Sequence, residues 1–198
     1  MRRAKNAFAL PVQTSPLARA KARIGSAAAN AEARAAVPIP KRVLGIDPGS
    51  TRTGWGVVER NGQTARGIAA GVIRISERAS LGARLEAIHR GISEVIAEHQ
   101  PDAVAIEDIF FARYAQAALM LGHARGVALL AAAQAGHVVA TYPPAVVKRA
   151  IVGSGRAEKT QVAQLVGALL GLKELPGIDA TDALAIALTH LNVCRIGV

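Results

Sequence analysis

The chain has almost no cysteine, little acid and no long apolar run. Its single cysteine among 198 residues, Cys194, excludes an internal disulfide and fits a reducing compartment, so a cytoplasmic setting is expected. No apolar run reaches the ~18 residues that span a bilayer. The nearest, residues 117–135, is broken by His123 and Arg125 and reads as a buried helix, so no membrane association is expected. The five histidines, at 89, 99, 123, 137 and 190, lack metal-ligand spacing. There is no internal repeat. Residues 153–160 imitate a phosphate-binding loop, but Glu158 stands directly before Lys159-Thr160, where such a loop needs glycine. Nucleotide binding there is excluded.

What is present suits one ordinary domain with an extension. A hydrophobic content of 51% suffices for a core and excludes global disorder. The net charge of +10 suggests nucleic acid, but its distribution is uneven. Residues 1–40 hold seven Lys/Arg and one acid, Glu32, whereas residues 41–198 hold 17 basic and 13 acidic residues. The first 40 residues are rich in Ala and Arg, are broken by four prolines and show no apolar periodicity. They read as a flexible basic extension or an over-long start. An organelle transit peptide and a nucleic-acid-contacting arm are the alternatives. The folded domain is expected over 41–198.

Within it, residues 42–47, 54–60 and 67–75 read as three strands of an antiparallel meander. Leu81, Leu85, Ile88, Ile92 and Val95 recur at helical steps behind the candidate cap Ser80. Pro101 ends that helix, and 103–107 reads as a fourth strand. A long apolar helix over 116–135 and a fifth strand over 137–142 follow, stopped by Pro143-Pro144. Helices are expected over 145–152, 159–172 and 180 to about 193. A meander followed by alternating strands and helices predicts an α/β sandwich around a mixed sheet. Gly122 and Gly126, four apart, allow close helix packing either at a dimer seam or within the core.

Four of the 14 acidic residues sit at element ends: Asp47 and Glu107 after apolar strands, Asp179 and Asp182 at the start of an apolar helix. Each alone has an ordinary reading as a turn former, a solvated strand end or a helix cap. Together they would repel one another unless cations sat among them. That is the layout of metal-assisted phosphoryl transfer, in which two Mg²⁺ ions serve the attacking water and the leaving oxygen. Strand ends hold such ligands rigidly. Asp179 and Asp182, three apart, share a helix face, and a helix start favours ionised carboxylates.

The motifs, in order, resemble those of the RuvC family of four-way (Holliday) junction resolvases, within the RNase H-like superfamily. They are Val43-Leu44-Gly45-Ile46-Asp47-Pro48-Gly49 with Thr53-Gly54-Trp55-Gly56, then Ile106-Glu107-Asp108-Ile109-Phe110, then Leu121 to Val127. Val147-Lys148, Val152-Gly153 and Ala157-Glu158-Lys159 follow, and the last is Asp179-Ala180-Thr181-Asp182 with the apolar residues after it. The match covers residues 42 to about 192.

The resemblance implies an RNase H-like three-layer α/β/α fold with a five-stranded mixed sheet. It implies that Asp47, Glu107, Asp179 and Asp182 are catalytic metal ligands, two Mg²⁺ per site with Mn²⁺ as a substitute, and that Lys159 is catalytic. Lys148, Lys159, Arg149, Arg113 and Phe110 are implied to contact DNA. It implies further a homodimer that makes paired symmetric nicks in four-way junctions during recombination and repair, beside the branch-migration proteins RuvA and RuvB. Tyr114 stands where the family commonly has Asn. A YqgF-like nuclease acting on RNA has a similar opening motif and is the alternative.

Overall fold

A computed structural model describes residues 39–108 and 115–196. They form five strands and five helices: β1 Arg42–Asp47, β2 Arg52–Asn61, β3 Thr64–Arg74, α1 Leu81–His99, β4 Ala103–Glu107, α2 Ala115–Gln134, β5 Val139–Tyr142, α3 Pro144–Val152, α4 Lys159–Leu170 and α5 Ile178–Ile196. The sheet order is β3-β2-β1-β4-β5. β1, β2 and β3 form the expected antiparallel meander, while β4 runs parallel to β1 and β5 parallel to β4.

Strand pleating explains the three layers. Alternate side chains of a strand face opposite ways, so Leu44 and Ile46 pack with Ile88, Ile92, Ala124 and Ala128 under α1 and α2. Val43, Val58 and Ala105 face Val147, Val166, Leu184 and Ile186 of α3, α4 and α5. The sheet is thus covered on both faces, in the RNase H-like arrangement.

The hairpin between β2 and β3 is longer than expected. Asn61 pairs with Thr64 around Gly62-Gln63, and Gly62 has φ +60°, so glycine supplies the left-handed backbone of a two-residue turn. An extra residue at Ile68, where the register shifts, adds a bulge. Ser80 caps α1 by accepting from the Ala83 amide at 3.4 Å. Leu81, the first residue of the apolar repeat, is 40% exposed and stands outside the core, which begins at Ile88.

α2 is the one described helix long and apolar enough, by length and composition, to cross a membrane. It packs Ala124, Ala128, Ala131 and Ala132 into the core. Leu119, Gly122, Gly126 and Leu130 recur at steps of three, four and four on the opposite side. Leu119 is 60% and Leu130 50% exposed, and a β-carbon at either glycine would meet nothing within 4 Å. Core packing is therefore not the reason for these glycines.

Candidate active site

Asp47 and Glu107 end adjacent parallel strands. Ile46 pairs with Ile106, so the carboxylates that follow stand side by side. The pleat turns both toward α5, on the face of Val43 and Ala105.

Glycines let α5 deliver its acids to the same place. A β-carbon on Gly45 would overlap the Ala183 carbonyl and lie 2.6 Å from the Ala187 amide nitrogen. Gly54, paired with Asp47, faces the Asp179 carbonyl just as closely. Ala180, Ala183 and Ala187, all fully buried, are the small side chains on the helix side of this contact. Helix α5 begins two residues earlier than expected, so Asp179 stands in the first turn and Asp182 in the second.

Asp47, Glu107 and Asp182 line one cleft of about 260 Å³ with Lys148 and Lys159. Burial, then the charges of Glu107 and Asp182, push the Asp47 carboxyl up to about 8, with Lys159 opposing. Glu107 is raised by burial and by Asp182, against Lys159 and a hydrogen bond from Asp47.

Lys159 Nζ donates to Asp182 Oδ2 at 3.0 Å, and this bond raises the Lys159 pKa, keeping it cationic. Gln161 places Lys159 at the start of α4. Its side-chain oxygen accepts from the Glu158 amide at 3.2 Å in a capping box, so the stretch that imitates a phosphate loop is a helix cap.

Asp179 does not line the cleft. Its Oδ2 lies 3.8 Å from Arg52 Nη1, and its charge is the last-ranked of the effects on Asp47. Arg149, beside Lys148 on α3, is exposed and also outside the cleft. Phe110, Arg113 and Tyr114 lie outside the described residues. Among the described residues, no three His, Cys, Asp or Glu side chains converge on one ion position as they stand. The donor chemistry nevertheless fits divalent cations: hard carboxylate oxygens from three elements face one cleft, and their burial and mutual charge raise Asp47 and Glu107 there.

Arg125, which the sequence showed as an interruption of an apolar helix and as part of the 121–127 motif but with no role of its own, is a supporting residue. Its Nε donates to the Glu107 carbonyl at 3.3 Å, and its Nη2 lies 3.2 Å from Asp108 Oδ1 and 3.4 Å from Thr141 Oγ1. One guanidinium therefore braces the ends of β4 and β5. Tyr142, paired with Glu107, hydrogen-bonds His190 Nδ1 at 2.8 Å through its hydroxyl, tying β5 to α5.

Residues 43–190 match the family described as crossover junction endodeoxyribonuclease RuvC. The RuvC of Sorangium cellulosum is 55% identical over 151 residues, covering 76% of this chain and 84% of that protein. That of Halorhodospira halophila is 54% identical over 151 residues, covering 76% and 90%. Among solved structures, Thermus thermophilus RuvC in complex with Holliday junction substrate superposes with a TM-score of 0.76 at 43% identity, covering 79% of this chain and 96% of that one. The yeast mitochondrial Holliday junction resolvase Ydc2 shares the fold, with a TM-score of 0.56 at 14% identity over 81% of this chain and 89% of that one. With these matches spanning the sheet, the cleft and α5, the chain belongs to the RuvC family of crossover junction endodeoxyribonucleases.

Proposed function

We propose that the chain is a Mg²⁺-dependent, structure-selective endonuclease that resolves four-way DNA junctions by paired symmetric nicks during recombination and repair. The observation that carries this reading is the single cleft in which Asp47, Glu107 and Asp182 meet Lys148 and Lys159, in a chain 43% identical to a RuvC solved with junction DNA.

Asp47 as a shared ligand, Glu107, and the Asp182 and Asp179 pair would hold two Mg²⁺, or Mn²⁺ in their place, which when bound supply the Lewis acidity that phosphodiester hydrolysis requires. The chain's own residues do the rest. The paired ends of β1 and β4, the latter braced against β5 by Arg125, fix Asp47 and Glu107 relative to one another. Lys159, held cationic beside Asp182, offers a fixed positive charge to the phosphate as negative charge develops. Lys148, at the cleft wall, holds adjoining backbone as a point charge. Arg149, Arg113 and Phe110 are assigned to the DNA beyond the cleft, the aromatic ring by stacking on an unpaired base.

A homodimer completes the reading, since two opposed nicks require two sites. The exposed α2 face carrying Leu119, Gly122, Gly126 and Leu130 supports a second copy docking there. RuvA and RuvB are the expected partners, in the cytoplasm.

The test is cleavage of a synthetic four-way junction in Mg²⁺, with linear duplex and RNA as controls. The expected result is one nick on each of two opposed junction strands and no cutting of duplex. Cleavage of RNA with the junction left intact would instead favour the YqgF-like alternative.

A further inference from the structure

The carboxylate end of the sheet carries a second set of charges that the proposed chemistry leaves unused. Arg52 opens β2, Arg74 closes β3, and the register sets them directly opposite one another. Arg52 is two residues from Gly54, which faces α5. Side chains two apart share a strand face. Arg52 and Arg74 are therefore on the face that carries Asp47, and both are exposed.

Like charges directly opposite in an antiparallel pair destabilise it. Here the compensation within the chain is slight. Among the described residues the acid in ion-pair reach of Arg52 is Asp179, at 3.8 Å, and Arg74 makes no ion pair. The two acids of α5 thus face different cations, Asp182 facing Lys159 and Asp179 facing Arg52. The strand order places the arginine pair on the β2–β3 side of Asp47. Lys148 lies on α3, which follows β5 at the opposite edge.

We infer that Arg52 and Arg74 form a phosphate-binding subsite for the DNA strand, on the far side of the carboxylates from Lys148. A phosphodiester between the two guanidiniums relieves their mutual repulsion, and their planar forks suit its oxygens. Across this end of the sheet the charge then runs positive, negative, positive, so a strand laid over the carboxylates meets a cation on each side. The inference rests on the DNA-nuclease reading.

The experiment measures junction affinity of the full chain between 50 and 200 mM salt, in an Asp47→Asn background that prevents cutting. Removing a phosphate contact flattens the slope of log affinity against log salt by about 0.9. The Arg52→Ala, Arg74→Ala double variant is therefore expected to lose roughly three- to four-fold less affinity than its parent over that fourfold rise. Its melting temperature should not fall, and Lys at both positions should keep most of the slope. An unchanged slope in the double alanine variant overturns the inference, and is the result expected if Arg52 only neutralises Asp179. A slope change with a lower melting temperature that Lys does not restore also overturns it. A parent that fails to bind the junction at all overturns the functional reading together with this one.

Discussion

At the scale of single residues, Asp47 sets the character of the site. A carboxyl that ordinarily ionises near 3.8 is held protonated to about 8, first by burial and then by Glu107 and Asp182. The sign of the consequence follows by linkage. Between those two pH values the folded chain binds a proton that the unfolded chain has released, so this group's contribution to stability declines as pH rises across that window. The metal-free protein is expected to melt at progressively lower temperature from about pH 4 to pH 8, a decline that Asp47→Asn should reduce. Melting curves of both proteins in chelator check this. A parallel decline in the two would show that the acid group is not strained. Destabilisation of this kind is a common accompaniment of a site built to receive cations.

At the scale of elements, the decisive contact is α5 against β1 and β2. Gly45 and Gly54 leave no room for a side chain, and this closeness brings Asp182 to Asp47. Gly45→Ala is expected to cost on the order of 1–3 kcal/mol through overpacking, and to reduce cleavage beyond what lost stability explains, measured well below the melting temperature. Wild-type cleavage by this variant would mean that α5 can shift without disturbing the acids. Much of this end of the molecule was legible in the sequence. The apolar runs before Asp47 and Glu107 mark parallel strands, and the two acids of α5 are visible as a pair.

The rest was not legible, for physical reasons. Glycines that admit a helix have no signature distinct from glycines that make turns. Arg125 reaches Glu107 and Thr141 through the fold, at separations no local pattern encodes. The start of α5 at Ile178 was hidden because Asp179 reads equally well as a cap, and Asp182 alone of that pair lines the cleft. The tightness of the Gly62 turn, inside the connection expected over 61–66, was not legible because polar residues on both sides of it continue the strands instead of ending them.

At the scale of the whole molecule, the folded unit described from residue 39 contains every carboxylate of the candidate site. The proposed chemistry assigns no role to the basic residues of the first 38 positions. A variant lacking residues 1–38 is expected to cut four-way junctions at the wild-type rate, as measured under single-turnover conditions. A large loss of junction affinity would assign those residues to DNA binding instead. The proposed dimer face on α2 and the cleft are distinct features of the domain, so two copies would bring two sites to one junction. The most direct test of the central claim, that Asp47 and its neighbours cut junction DNA, compares wild type with Asp47→Asn on one synthetic four-way junction in Mg²⁺ and in Mn²⁺. The account predicts nicking by the wild type, and undiminished junction binding without nicking by the variant. Binding without cleavage by the wild type in both metals, across several junction sequences, would contradict it.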